Sequence, residues 1–328
     1  MTRKAILFLI VLLGSALFYA CSDRKSDSSD NSGDAVTKVP LGDPFIMYHE
    51  GVYYAYGTFS EDGIIVFTST DLKNWEVPDE LTDGLALHKS DVWGDRWFWA
   101  PEVYYVDGTF YMYFSADEHI CVATSNNPLG PFKQTEKKPM IADEKCIDNS
   151  LFVDENGTPW LYFDRFNDGL NIWVAELTEN LLEIKPETMK PCIHVSQEWE
   201  EVWPRVNEGA YVIRHDGLYY MTYSANSYES QFYGVGFATS ESPAGPWVKY
   251  EENPILQKPG TLVGVGHSAM FRDKDGDLRT VFHAHNSNES IHPRHMYIST
   301  VSFEERNDAP DVMVVDENYM TPVLKTAE

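Results

Sequence analysis

One phrase recurs five times along this chain, and the recurrence limits the possible fold more than any other feature. The copies read DPFIMYHEGVYYAYGT from Asp43, APEVYYVDGTFYMYFSA from Ala100, DNSLFVDENGTPWLYFDR from Asp148, EGAYVIRHDGLYYMTYSA from Glu208 and GHSAMFRDKDGDLRTVFHAH from Gly266. Each is a β-rich run, a turn ending in glycine and a second β-rich run. The turn glycines are Gly51, Gly108, Gly157, Gly217 and Gly276, at intervals of 57, 49, 60 and 59 residues. A strand-built unit of this length buries its faces only by stacking on its neighbours. The expected fold is therefore all-β, a five-bladed β-propeller with one four-stranded sheet per repeat. Equivalent positions of all the blades converge on the axis of such a fold. Asp43, Asp148 and Glu208 head the first, third and fourth copies, and the fifth carries His267. Three carboxylates and an imidazole are thus expected in one pocket.

The second half of each unit supplies another alternating run, at 63–70, 119–125, 170–177, 233–240 and 294–303. Turn signals such as NNPLGPFK and ESPAGPW follow four of them. No convincing helical period exceeds two turns; LTENLLEIKPETMK comes nearest, and Pro186 breaks it. The last segment, DVMVVDENYMTPVLKTAE, offers a strand to complete a blade or close the ring.

The N-terminus reads differently. Arg3 and Lys4 precede an apolar stretch from Ala5 to Ala20, shorter than the roughly 20 apolar residues of a membrane span and typical of a signal peptide. Ala20 before Cys21 resembles a bacterial lipobox, so residues 1–20 are expected to be removed and Cys21 to carry lipid. Residues 21–39 are Ser- and Asp-rich and lack apolar periodicity, and are expected to form a flexible tether. Residues 40–328 would then form the folded domain, a monomer on the periplasmic or cell-surface face of an outer membrane, touching membrane only through its lipid. The formal net charge of −26 excludes nucleic acid and strongly anionic polymers as partners. Cys121, Cys146 and Cys192 are irregularly spaced, which indicates neither a zinc site nor a disulfide framework.

The ordered motifs resemble glycoside hydrolase family 43, whose members are five-bladed propellers acting on arabinose- and xylose-containing glycans. The match runs from about Leu41 to Phe303. It is carried by GDPFIMYHEGVYYAYGT, FWAPEVYYVDGTFYMYFSA, IDNSLFVDENGTPWLYF, NEGAYVIRHDGLYYMTYSA and GHSAMFRDKDGD. Two departures concern subfamily and specificity: Asn149 and Ala210 stand where the family often has proline. The resemblance implies that Asp43 is the general base of an inverting hydrolysis, Glu208 the general acid, and Asp148 the carboxylate that tunes and orients the acid. It implies that Arg294 reaches the pocket, to bind sugar hydroxyls or pair with a carboxylate. It also implies that His267 lies on the axis, where many members hold a calcium ion. No cofactor is required by the chemistry itself. Calcium prefers oxygen ligands, and hydrogen bonding of His267 to Asp148 or Glu208 explains that residue equally well.

Sugar rings pack on aromatic planes, and Trp99 and Trp203 are the expected platforms because they flank blade heads. Tyr54, Tyr56, Tyr111 and Tyr113 alternate along strands and read as core. The leading expectation is an exo-acting inverting glycosidase taking terminal pentofuranose from an oligo- or polysaccharide, an α-L-arabinofuranosidase. β-Xylosidase and β-galactofuranosidase are the alternatives within the family. A surface glycan-binding propeller without catalysis is the alternative outside it, and the three acidic heads argue against that.

Overall fold

Apolar and polar residues alternate within each repeat, so each copy folds into an antiparallel meander with faces to bury. The computed structural model describes residues 37–81, 83–203 and 205–325. They form the expected five-bladed β-propeller. Blade 1 contains Gly42–His49, Val52–Thr58, Gly63–Ser69 and Leu85–His88. Blade 2 contains Trp99–Val106, Thr109–Ala116 and His119–Ser125. Blade 3 contains Cys146–Val153, Pro159–Phe166, Leu170–Glu176 and Lys190–Ile193. Blade 4 contains Asn207–His215, Leu218–Ala225, Gly234–Ser240 and Val248–Lys249, and blade 5 contains Gly266–Arg272, Leu278–Ala284, His295–Glu304 and Val312–Val315.

Blade 2 departs from the four-strand expectation. Where a fourth strand would run there is a single bridge, Thr124 with Lys133 through two backbone bonds of 3.0 Å, and one further bond of 2.8 Å from Met140 N to the Ile120 carbonyl. Pro128 and Pro131 lie between Thr124 and Lys133, where proline cannot extend a ladder. Among the described residues the only helices are 3₁₀ turns, at Lys89–Asp91, Pro186–Thr188 and Glu198–Glu201. Tyr56 and Tyr113 are wholly buried between blades, as their alternation implies, and Tyr54 and Tyr111 pack beside them.

Every innermost strand begins with a bulge. The register slips between Gly42 and Phe45, Trp99 and Glu102, Ile147 and Ser150, Glu208 and Tyr211, and Gly266 and Ala269. Inside each slip one residue is left-handed: Asp43 (φ 45°), Ala100 (43°), Asp148 (54°), Gly209 (61°) and His267 (47°). For residues other than glycine that conformation costs roughly 1–2 kcal/mol. In every blade the N–H of the left-handed residue is held by the second strand of the preceding blade. Ala100 N donates to Thr58 Oγ1 (3.0 Å), Asp148 N to Ser115 Oγ (3.1 Å) and Gly209 N to Asp164 Oδ2 (3.0 Å). His267 N donates to Ser224 Oγ (2.7 Å), and Asp43 N donates to His283 Nδ1 (3.1 Å), which closes the ring from blade 5 to blade 1.

This register corrects one expectation. Glu208 pairs with Ser224 as Gly42 pairs with Thr58, so it lies one residue before the bulge. Gly209, not Glu208, occupies the position equivalent to Asp43 and Asp148. Glu208 therefore enters the pocket from the flank of the ring.

The C-terminal segment both completes a blade and closes the ring. Val312–Val315 is the outer strand of blade 5, and Val323–Leu324 runs parallel to Asn74–Trp75 of blade 1. The expected tether is shorter at its described end than 21–39. Val39 is fully buried and accepts Met296 N, and Thr37 accepts Leu324 N, so these residues belong to the folded unit. The expected signal peptide, Cys21 and the rest of the tether lie outside the described residues. Cys121 and Cys146 are buried thiols, and Cys192 is partly buried.

Ser115→Ala removes the only acceptor of the Asp148 amide within the ring. Leaving a buried N–H unsatisfied costs about 1–3 kcal/mol, so a urea titration is expected to show a stability loss of that size. An unchanged midpoint would mean that the ring contributes nothing.

Candidate active site

The first and third bulges bring Asp43 and Asp148 to the axis, and Glu208 joins them from one residue before the fourth. Asp43, Asp148 and Glu208 are 8%, 8% and 9% exposed, so all three sit in the same degree of burial. What differs is their partners. Asp43 receives both arms of Arg294, with Nη1 donating to Oδ1 at 2.6 Å and Nη2 to Oδ2 at 2.9 Å. Thr58 Oγ1 donates to Oδ2 at 2.6 Å, so one hydroxyl serves both this carboxylate and the Ala100 amide. Burial pushes the Asp43 carboxyl up, but the charge of Arg294 and the nearby His267 and His283 outweigh it and hold Asp43 far below the usual carboxylate range.

Glu208 has no cation in contact among the described residues. Tyr233 Oη donates to its Oε1 at 2.6 Å. Burial, with the negative charge of Asp43 added, pushes Glu208 up to about 7 against the opposing tyrosine bond. Tyr233 is fixed in turn: its ring stacks on His283 at 5.7 Å and leaves no room for a side chain at Gly266, where a Cβ would lie 2.2 Å from the ring. Asp148 is raised well above the usual range by burial first, then by the charges of Glu208 and Asp43.

Arg294 was expected either to bind sugar or to pair with a carboxylate, and it does the second. Its guanidinium is buried, with the Tyr228 ring 4.9 Å away on one side. Close approach on the other side requires Gly42, because a Cβ there would lie 2.5 Å from the guanidinium. His267 Nδ1 lies 3.5 Å from Asp43 Oδ1 and 3.9 Å from Asp148 Oδ2, and burial lowers its pKa. It thus stands between the two aspartates. The donors around it fit calcium poorly: calcium takes six to eight oxygens, His267 offers nitrogen, and both Asp43 oxygens are engaged by Arg294 and Thr58. Among the described residues no group of three His, Cys, Asp or Glu side chains is arranged to hold a metal ion.

Of the expected aromatic platforms, Trp99 heads the innermost strand of blade 2 and Trp203 lies five residues before Glu208. Trp99 adjoins Ala100 and stacks on Trp97 at 5.6 Å, with Arg96 over the Trp97 ring. Trp203 is 41% exposed, and its N–H donates to Asn226 Oδ1. Asn226 also holds the carbonyls of Trp199 and Phe232, tying the segments around Glu208 together.

Four residues of the site escaped the sequence reading: Thr58, Asp164, Tyr233 and His283. Three of them had a signal. The second run of each copy ends YGT, FSA, FDR, YSA or FHA, and the ring acceptors are the Thr, Ser, Asp, Ser and His of those endings. Tyr233 had none, since it comes from the residue just before the third strand of its blade, Gly234–Ser240. Glu102, at the head of blade 2, is structural: it is buried against Tyr104, and burial pushes it up to about 8.

The model of glycosyl hydrolases family 43 matches residues 34–308. This chain belongs to that family. It is a glycoside hydrolase, and the family hydrolyses with inversion. The fold matches the crystal structure of an endo-1,4-β-xylanase from Bacteroides thetaiotaomicron with a TM-score of 0.83 and 45% identity, covering 89% of this chain and 99% of that one. A β-D-galactofuranosidase of Aspergillus niger is 22% identical over 88% of this chain and 86% of its own length. An extracellular exo-α-(1→5)-L-arabinofuranosidase of Streptomyces avermitilis is 27% identical over 71% of this chain, which spans about half of that protein.

Gly42→Ala places a methyl against the Arg294 guanidinium and so tests the Asp43–Arg294 pair without touching either residue. Displacing one partner of a buried ion pair costs about 3–5 kcal/mol, so a lowered melting temperature and an activity loss of at least about 100-fold are expected. Unaltered activity would show that the pair is not needed.

Proposed function

We propose that this family 43 hydrolase is an exo-acting inverting enzyme that removes terminal pentofuranosyl residues from plant-type glycans, α-L-arabinofuranose first among them. Asp43 acts as general base: it takes a proton from a water that attacks the anomeric carbon. Glu208 acts as general acid and passes its proton to the departing oxygen on the opposite face. Asp148 keeps the acid charged with its proton and oriented. The observation that carries this reading is the division of labour between two equally buried carboxyls, one held ionised by Arg294 and the other held protonated up to about pH 7. A purely glycan-binding propeller has no use for that division.

Enclosure supports exo action. The three carboxylates are nearly covered, and the Arg294–Tyr228 and Trp97–Trp99 stacks flank their blade heads, which suits one terminal sugar better than an open chain. Trp99 and Trp203 offer faces for the sugars beyond, and His267 a hydrogen bond to the sugar in the pocket. No step is routed through calcium, given the donor set around His267. A xylan-directed reading has its own support in the 45% identity to a protein named an endo-1,4-β-xylanase. Export and lipid attachment at Cys21 complete the reading, and a relative named an extracellular enzyme favours the first of these. No helix among the described residues is long and apolar enough to cross a membrane.

The substrate is tested with p-nitrophenyl α-L-arabinofuranoside, β-D-xylopyranoside and β-D-galactofuranoside. Release from the arabinofuranoside is expected, with a drop of roughly 100-fold or more in Glu208→Ala. Release from the xyloside alone would select the xylan reading, and glycan binding with no release from any would contradict catalysis. The pH profile follows from the same groups. Glu208 must be protonated, so kcat/KM is expected to fall as pH rises through about 7. Asp43 stays ionised far below that, so no matching fall is expected down to about pH 5.

A further inference from the structure

The ring of amide bonds needs only an acceptor in each blade, and in blades 1, 2 and 4 a hydroxyl suffices, from Thr58, Ser115 and Ser224. Blade 3 carries more than the ring requires. Asp164 is a carboxyl with no exposure at all. Its Oδ2 accepts the Gly209 N–H, while Oδ1 meets no N–H or O–H donor among the described residues. Asp164 pairs with Ile147 across the two strands, next to Asp148, which sets the two carboxyls side by side for a hydrogen bond. Two carboxyls can make that bond only when one of them holds a proton. Glu208 and Asp43 push Asp148 up, but it also faces cationic Arg294 and the His267 ring, whereas the charges that bear on Asp164 are those of Asp148 and Glu208 alone. The negative charge therefore belongs on Asp148 and the proton on Asp164.

We propose that Asp164 is a positioning residue for the general acid: it donates a hydrogen bond to Asp148 and accepts the backbone N–H of Gly209, the residue next to Glu208. This rests on the roles given above to Glu208 and Asp148. The bond lowers the Asp148 carboxyl against the burial and the neighbouring charges that raise it. Asp148 in turn faces Glu208, Asp43, Asp164, His267 and Arg294, while Glu208 also faces Tyr233. Without its donor, Asp148 takes up a proton itself. Glu208 then loses a negative neighbour and releases its own proton at lower pH.

Asp164→Ser recreates the acceptor of blades 1, 2 and 4 and abolishes the contact with Asp148. It is expected to fold, to lower kcat about 30-fold with KM within about three-fold, and to move the basic limb of the kcat profile about one pH unit towards acid. Asp164→Asn can donate through Nδ2 and accept through Oδ1, so it is expected to recover most of the rate and restore the basic limb. A serine variant with wild-type rate and profile overturns the proposal, as does an asparagine variant no better than serine. Infrared spectroscopy at pH 7 decides independently of any substrate. The wild-type minus Asp164→Asn difference is expected to show a protonated-carboxyl band, and its absence overturns the proposal even if the sugar specificity proves different.

Discussion

Five left-handed residues, each with its N–H held by the blade before it, organise this molecule. A propeller meander would ordinarily run straight past its axis, with alternate side chains buried between blades. The bulge at the head of each innermost strand interrupts that alternation and aims a residue inward. The left-handed backbone is unfavourable by roughly 1–2 kcal/mol for each non-glycine residue, and a single amide hydrogen bond recovers about 1 kcal/mol. The bulges thus persist because neighbouring blades hold them. Site and fold closure are the same structure: the bond from Asp43 N to His283 joins the last blade to the first and sets the orientation of the expected base.

Electrostatics then differentiates residues that geometry has made alike. At an effective dielectric of about 20, opposite charges 4 Å apart attract by about 4 kcal/mol. That is enough to reverse the effect of burial on a carboxyl, since each tenfold change in an ionisation constant is about 1.4 kcal/mol. Arg294 therefore determines which carboxyl is the anion. Asp43 touches its guanidinium; Glu208 touches the Tyr233 hydroxyl and stays protonated towards neutrality. Gly42 and Gly266 make both arrangements sterically possible, because each leaves space for the side chain that fixes one of the two groups.

Much of this was legible before any coordinates. The repeat spacing defined the blades, and strands expected at 63–70, 119–125 and 170–177 appear as Gly63–Ser69, His119–Ser125 and Leu170–Glu176. Blade heads announced Asp43, Asp148 and His267 because a bulge residue keeps its place in every copy. Glu208 was found by its acidity but misplaced by one, since alternation alone does not reveal where a strand bulges. His283 and Asp164 were hidden for a related reason. They lie at the end of the second run, where the other blades use Ser or Thr, and their importance comes from facing an axis that periodicity does not locate. Tyr233 reaches Glu208 from the residue just before the third strand of its blade, a tertiary contact with no local trace.

The central claim is that Glu208 gives the proton and Asp43 takes one, and leaving-group dependence separates those roles most directly. With a 2,4-dinitrophenyl glycoside of the accepted sugar the departing oxygen needs no proton. The account predicts that Glu208→Ala hydrolyses this substrate within about ten-fold of wild type while Asp43→Ala stays inactive. Equal inactivity of the two variants on the activated substrate would contradict it.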